Sequence, residues 1–327
     1  MKRREFITLL GGAAAWPIAA RAQQPAMPVI GYLTSGSANE PIVDRFGAAF
    51  RQGLALVGYV EGRNVAIEFR FAEHRSDRLA ALATELARRQ VNVIFAGGSQ
   101  EALAAKSATT TVPIVFSGAS DPVAIGLVAS LNRPGGNVTG ATAIGHSLGP
   151  KRLELIRELL PNASKIGVLM SPADPSTDSE VASLKAAATT VGLQTVVFYA
   201  SDSSDVEAAL SKFDQEHVGA FIDGGGPLLG GLRDQTVAAA LHHRLPIIGS
   251  NSESAAGGAV LGYGASITDA SRQAAIYVGR ILKGERPADL PVMQPIKFDL
   301  VINLKAAKAF GLDVPPLLLA RADEVIE

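Results

Sequence analysis

The segment Gly145-His146-Ser147-Leu148-Gly149 has the Gly-x-Ser-x-Gly spacing of a nucleophile elbow. In that motif a sharp strand-to-helix turn exposes a serine hydroxyl near oxyanion-stabilising N–H groups. The serine then needs an acid and a histidine further along the chain. His217, His242 and His243 follow, but none falls cleanly in a loop after a predicted strand. His242 and His243 sit in or at the end of a helical run, where they read as solvated groups near a helix C-terminus. The motif also falls where one strand–helix series ends and another begins, a place where glycines serve a hinge. A secreted serine hydrolase using Ser147 is therefore the alternative reading, and no catalytic residue is expected.

Other chemistry is no better supplied. The histidines, at positions 74, 146, 217, 242 and 243, show no His-Glu-x-x-His spacing, so no metal site is expected. The chain has no Cys. That excludes disulfides, thiol chemistry, Cys-ligated zinc and a lipid-anchored N-terminal Cys. "DGGGPLLGG" at 223–231 lacks the Lys-Ser/Thr ending of a phosphate-binding P-loop and the glycine spacing of a dinucleotide site. No cofactor is expected.

What does collect is a set of small polar residues after apolar runs. "TSGS" (34–37), "GGSQE" (97–101), "SGASDP" (117–122), "SPADPS" (171–176), "DGGGP" (223–227) and "GSNSE" (249–253) share one chemistry. Each supplies hydroxyl, glycine or carboxylate groups where a strand ends, and ligands of open α/β sheets bind beyond the carboxyl ends of strands. Several of these loops open helices, whose free N–H groups suit a carboxylate. Asp carboxylates suit an ammonium group or hydroxyls. Capping by Ser and Asp accounts for any one loop. Six such ends are better accounted for by a cleft that grips a small polar solute. The candidate ligand-binding residues are Ser35, Gly36, Gly98, Ser99, Ser117, Asp121, Ser171, Asp174, Asp223, Gly226 and Ser250.

The elements that must position these residues alternate. "VIGYL", "VIFA" and "PIVFSG" are short apolar strands, separated by helical patterns such as "PIVDRFGAAFRQGLAL" and "SDRLAALATELARR". "DPVAIGLVASL" also reads as a helix. The alternation restarts near residue 150 with "PKRLELIRELL", "KIGVLM", "LQTVVFYA", "GAFIDGG" and "PIIGS". Apolar strands between helices require a parallel sheet covered on both faces. Two such series predict an α/β protein with two doubly wound parallel-sheet lobes joined by a hinge. The trailing elements are too few for a third domain and complete the first two. The expected division is 28–145 with about 263–292 in one lobe, and 146–262 with about 293–327 in the other.

The chain has 327 residues, a net charge of -1 and 47% hydrophobic residues. Near-neutral charge with mixed signs gives no footprint for nucleic acid. Residues 1–22 read as an export signal peptide: basic "MKRREF", a short apolar run, and Ala20-Arg21-Ala22 as a cleavage site. Arg3-Arg4 points to the twin-arginine type. The expected location is the periplasm, as a soluble monomer without a lipid anchor.

Longer blocks carry a resemblance. "FSGASDPVAIGLVASLNRPGGNVTG", "PKRLELIRELLP", "SITDASRQAAIYVGRILKGERPADLPV" and "KFDLVINLKAAKAFGLDVPPLLLARADEVIE" resemble the ABC transporter substrate-binding protein family of the TrpX-like kind. The resemblance covers nearly all of the chain after the signal segment. It implies a type I periplasmic binding protein fold, in which two lobes cross three times and enclose a ligand by hinge closure. It implies a small-molecule ligand, such as an amino acid or aromatic solute, delivered to an inner-membrane ABC permease with its ATPase. A ligand-sensing module for a membrane receptor is a further alternative. Two departures weaken the aromatic expectation: Gly226 precedes Pro227 where members often carry Asp-Pro, and Gly249-Ser250 stands where many carry Tyr-Pro.

Overall fold

The computed structural model describes residues 27–119, 121–142, 148–296 and 298–327. The expected signal segment, and His146 and Ser147 of the serine motif, lie outside the described residues.

The first sheet has the order β2-β1-β3-β4-β5, all parallel. Its strands are β1 (Val29–Thr34), β2 (Ala66–Phe71), β3 (Val93–Ala96), β4 (Ile114–Ala119) and β5 (Val138–Thr142). Side chains alternate between faces along a strand, and the two faces bury different partners. Ile30, Tyr32, Val93 and Phe95 pack against Phe50 and Leu54 of helix α1 (Pro41–Leu56) and against Ala274 and Val278 of helix α9 (Ile267–Leu282). Leu33, Ile94 and Phe116 pack on the other side against helices α2 (Leu79–Arg88) and α3 (Ser99–Ala108). Helix α1 opens with Pro at its first turn and α9 with Ser266, whose Oγ accepts the Asp269 N–H at 3.1 Å. The two helices touch through Gly53, where a Cβ would lie 2.1 Å from the Arg272 carbonyl oxygen. That approach holds the late helix α9 on the first sheet.

The second sheet has the order β12-β11-β10-β9-β8-β6-β7. It comprises β6 (Lys165–Met170), β7 (Gln194–Tyr199), β8 (Ala220–Asp223), β9 (Ile247–Gly249), β10 (Leu261–Gly264), β11 (Asp299–Asn303) and β12 (Glu324–Ile326). All pairs are parallel except β10 with β11. Ile166, Val168 and Ile222 pack under helices α4 (Gly149–Leu159) and α5 (Thr177–Thr190). Leu169, Phe221 and Ile247 pack under α6 (Ser203–Gln215) and α8 (Arg233–His243). A short helix α7 (Gly226–Gly231) precedes α8, while α10 (Leu304–Ala309) and α11 (Pro316–Leu319) follow β11. This is the type I periplasmic binding protein fold.

The chain passes from the first sheet to the second between β5 and α4, returns between β10 and α9, and crosses again between Met293 and β11. Two of these passages run side by side. The Thr142 N–H donates to the Met293 carbonyl at 2.8 Å, and the Met293 N–H donates to the Gly140 carbonyl at 2.9 Å.

One expected helix is absent. Residues 121–131 form turns, because the Leu127 and Val128 N–H groups both bond the Pro122 carbonyl and Gly126 takes φ 72°. That left-handed glycine interrupts the helical hydrogen-bond ladder before a second turn can form.

Candidate functional site

Each sheet has a switch point, where the strand order reverses and one strand is flanked by the two strands that follow it in sequence. β1 lies between β2 and β3, and β6 between β7 and β8. Crevices open beyond the carboxyl ends of strands at such points. Here the two crevices face each other and share one cavity of about 280 Å³.

The first lobe contributes the ends of β1 and β3. The Ser35 N–H donates to Glu101 Oε1 at 2.8 Å, and the Gly36 N–H donates to Thr34 Oγ1 at 3.3 Å. Gly98 and Ser99 form the start of α3 and line the cavity. One turn later Glu101 is 1% exposed. Burial pushes its carboxyl above the usual carboxylate range, against the opposing effect of hydrogen bonds from Ser35. Its Oε2 has no hydrogen-bond partner among the described residues.

The second lobe contributes the ends of β6, β8 and β9. Ser171 is buried, and its Oγ accepts the Ala173 N–H at 3.3 Å. Asp174 Oδ1 accepts the Ser176 N–H at 2.9 Å and the Ser176 hydroxyl at 2.7 Å. Asp223 ends β8, and its Oδ1 accepts the Gly225 N–H at 2.8 Å. Burial raises the Asp223 carboxyl above its usual range, opposed by that bond and by the Arg233 charge. Gly225 and Gly226 take φ 72° and 87°; this left-handed pair turns the chain sharply into α7. Ser250 lines the cavity after β9.

Contacts between the lobes across the cleft include the following. The Gln100 amide donates to the Ala173 carbonyl at 3.0 Å. The His74 ring, whose Nε2 lies 3.1 Å from Glu40 Oε2, packs on Gly231 so closely that a Cβ there would sit 2.7 Å from Cγ.

Nine of the eleven candidate residues line this cavity: Ser35, Gly36, Gly98, Ser99, Ser171, Asp174, Asp223, Gly226 and Ser250. Ser117 and Asp121 are not among the lining residues. Ser117 is buried behind the strand, its Oγ 3.2 Å from Ser271 Oγ on α9, while its neighbour Gly118 faces the cavity. The pleat puts adjacent residues on opposite faces. Asp121 Oδ1 accepts the Val123 and Ala124 N–H groups at 3.2 and 2.9 Å, stabilising the turn that replaces the expected helix.

Sequence reasoning missed Glu101, His74 and Arg152 as lining residues. Glu101 stood inside a quoted loop, and the signal was its place beside Ala102 and Ala105 on the buried face of α3. Arg152 lies on α4, 1% exposed. Its Nε–H donates to the Tyr263 carbonyl at 3.1 Å, its Nη2 donates to the Ser250 carbonyl, and its Nη1 lies 3.6 Å from Glu180 Oε1.

His217, His242 and His243 are not among the lining residues. His243 instead lies 3.2 Å from Glu207 and 3.4 Å from Asp214. Among the described residues no cluster of His, Cys, Asp or Glu could hold a metal ion, and no helix is long and apolar enough to cross a membrane.

Comparison with known proteins agrees with this geometry. The sequence profile of ABC transporter substrate binding proteins matches residues 38–326. A tyrosine-binding protein of Clostridioides difficile is 29% identical over 278 residues, covering 83% of this chain and 78% of that one. The crystal structure of an ABC domain in complex with L-Trp from Streptococcus pneumonia is 26% identical, with TM-score 0.85 over 91% of this chain and 99% of that chain. A ligand-free, open substrate binding protein with adhesive properties from Clostridium difficile is also 26% identical, over the same 91% and 99%, with TM-score 0.67.

Proposed function

The chain belongs to the ABC transporter substrate binding protein family, and from that premise we propose that it captures a small solute between its lobes and hands it to an ABC permease. The handover takes place in the periplasm, after export by the twin-arginine segment, and the permease is driven by its own ATPase. The protein acts as a soluble monomer and performs no chemistry on its cargo.

One observation carries the reading. Polar loops from the carboxyl ends of both sheets line one cavity, and the lobes touch across it through Gln100 and His74. The arrangement is nearer to the L-Trp complex than to the ligand-free, open relative, at TM-scores of 0.85 and 0.67. That difference supports a closed conformation of a molecule that also opens.

The relatives make aromatic amino acids the first solutes to test. Phe46, Val43 and Leu229 supply apolar lining for a ring, and the polar loops supply partners for its charged end. The chain's single Trp, Trp16, lies in the expected signal segment, so L-tryptophan is its own fluorescent reporter for the mature chain. L-tryptophan should change its own emission on binding, and any bound amino acid should stabilise the fold by about 3–4 kcal/mol at 100–1,000 times the dissociation constant. A panel of amino acids, aromatic acids and nucleobases that yields no stabilisation would refute the solute class.

A further inference from the structure

The chain's return from the second sheet to the first is short and braced at both ends. β10 ends at Gly264 and α9 begins at Ile267. Upstream, the strand lies hard against the segment that follows β9. A Cβ on Gly262 would sit 2.3 Å from the Asn251 carbonyl oxygen, and one on Gly264 would sit 2.8 Å from that of Ser250. Asn303 of β11 fastens the same segment, its Nδ2 donating to the Ala255 carbonyl at 2.9 Å. Downstream, α9 is held on α1 through the close approach at Gly53. On this crossing, rotation of one lobe against the other is therefore confined to Ala265 and Ser266.

Glu253 spans that pivot. It stands on the second lobe, yet its Oε1 accepts the Ser266 hydroxyl at 2.9 Å and the Thr268 N–H at 3.0 Å, at the start of α9 on the first lobe. Ser266 Oγ in turn accepts the Asp269 N–H. The carboxylate thus serves two free donors of that helix end, one directly and one through Ser266, where negative charge is favoured. Its Oε2 accepts the Ser252 hydroxyl at 3.2 Å, which steadies the side chain.

The contact lies on the cleft side of the crossing, since Glu253, Ala265 and Ile267 all line the cavity. Groups on the cleft side of a hinge move apart as the cleft opens. The bonds to Glu253 are therefore whole when the lobes are together and stretched when they part, leaving the Thr268 N–H without its acceptor. Bonds to an ionised acceptor are among the stronger kind, and both partners here belong to the protein, so this contact needs no solute.

We infer that Glu253 is a latch between the lobes: its bonds to the first turn of α9 set what fraction of the empty protein is closed, and through that fraction the affinity for every solute alike. This rests on the solute-capture reading and adds to it a positioning residue that tunes capture without choosing the cargo.

The test measures the separation of the lobes in the mature chain, stripped of solute by unfolding and refolding. The chain has no Cys, so Asp77→Cys and Gln235→Cys place one pair of spin labels, one on each lobe. Both positions are exposed, near His74 and Gly231 in sequence. Pulsed electron double resonance then reads the distance between them. Empty wild type should show a shorter and a longer separation. Glu253→Ala should lower the ratio of short to long about tenfold. Glu253→Gln, whose amide oxygen accepts the same bonds without the charge, should fall between. Each amino acid, aromatic acid or nucleobase that binds wild type should bind Glu253→Ala more weakly by one common factor, no greater than the fall in that ratio.

A merely structural role would lower the melting temperature of Glu253→Ala and leave the ratio where it was. An unchanged ratio, an empty wild type with a single separation that shifts only on adding solute, or losses that differ from solute to solute would overturn the inference and leave solute capture standing. A single separation in wild type that no solute changes would overturn both.

Discussion

Replacing Arg152 with Met should lower the stability of the second lobe by about 3–5 kcal/mol, the largest loss expected of any single side chain outside the apolar core. The guanidinium is 1% exposed, and burial works against its charge. It is retained because it satisfies three groups at once. It joins α4 to the carbonyls of Ser250, beyond β9, and Tyr263, in β10, and it faces the Glu180 carboxylate on α5. Methionine fills much of the volume but leaves Glu180 without its cation and both carbonyls without that donor. Urea unfolding followed by circular dichroism reads the loss. Glu180→Gln in the Arg152→Met background should recover part of it, because the buried charge is then gone. A variant within about 1 kcal/mol of wild type would show that the pair is not holding these elements together.

Gly231→Leu should weaken solute binding by about tenfold to a hundredfold while leaving the empty protein as stable as before. The position ends α7 on the second lobe, and the His74 ring of the first lobe presses on it. His74 has little freedom to withdraw: its backbone N–H bonds the Ser35 carbonyl at 2.6 Å, and its Nε2 faces Glu40. A leucine here overlaps the ring only when the lobes are together. The clash therefore acts on closure alone, and overpacking of about 1–3 kcal/mol appears as lost affinity through the smaller closed population. Leucine is also a better helix former than glycine, so the melting temperature of the empty protein should hold or rise. His74→Ala in the same chain should restore binding. Wild-type affinity in Gly231→Leu would mean that these surfaces do not meet in the bound state.

Much of this arrangement was legible in the chain because parallel strands buried on both faces have little choice of composition. Runs such as "VIGYL" and "KIGVLM" had to be strands once helical patterns flanked them, and their polar ends had to gather at one edge of each sheet. Period-two alternation then fixed which face each strand residue meets, as Ile30 and Tyr32 against α1 and α9 show. The same alternation at the end of β4 turns Ser117 towards Ser271 of α9 and Gly118 towards the cavity. Asp121 is used locally: a carboxylate two and three residues before free N–H groups accepts them in a turn, and composition alone does not separate that use from ligand binding. Glu101 and Arg152 were hidden because buried charge has no sequence signature of its own. Glu101 occupies the apolar stripe of α3, and Arg152 sits among Leu153, Leu155 and Ile156 in what reads as an ordinary amphipathic helix. Only the packing of distant segments shows that these charges point inward.

Closure of two hinged lobes around a solute shortens the molecule, and small-angle X-ray scattering reads that change in solution. The mature chain is stripped of solute by unfolding and refolding, measured, then reloaded with the solute that it captures and measured again. The empty protein should have the larger radius of gyration, which should fall on reloading to the value of the structure with its lobes in contact. An identical radius with and without bound solute would rule out hinge closure.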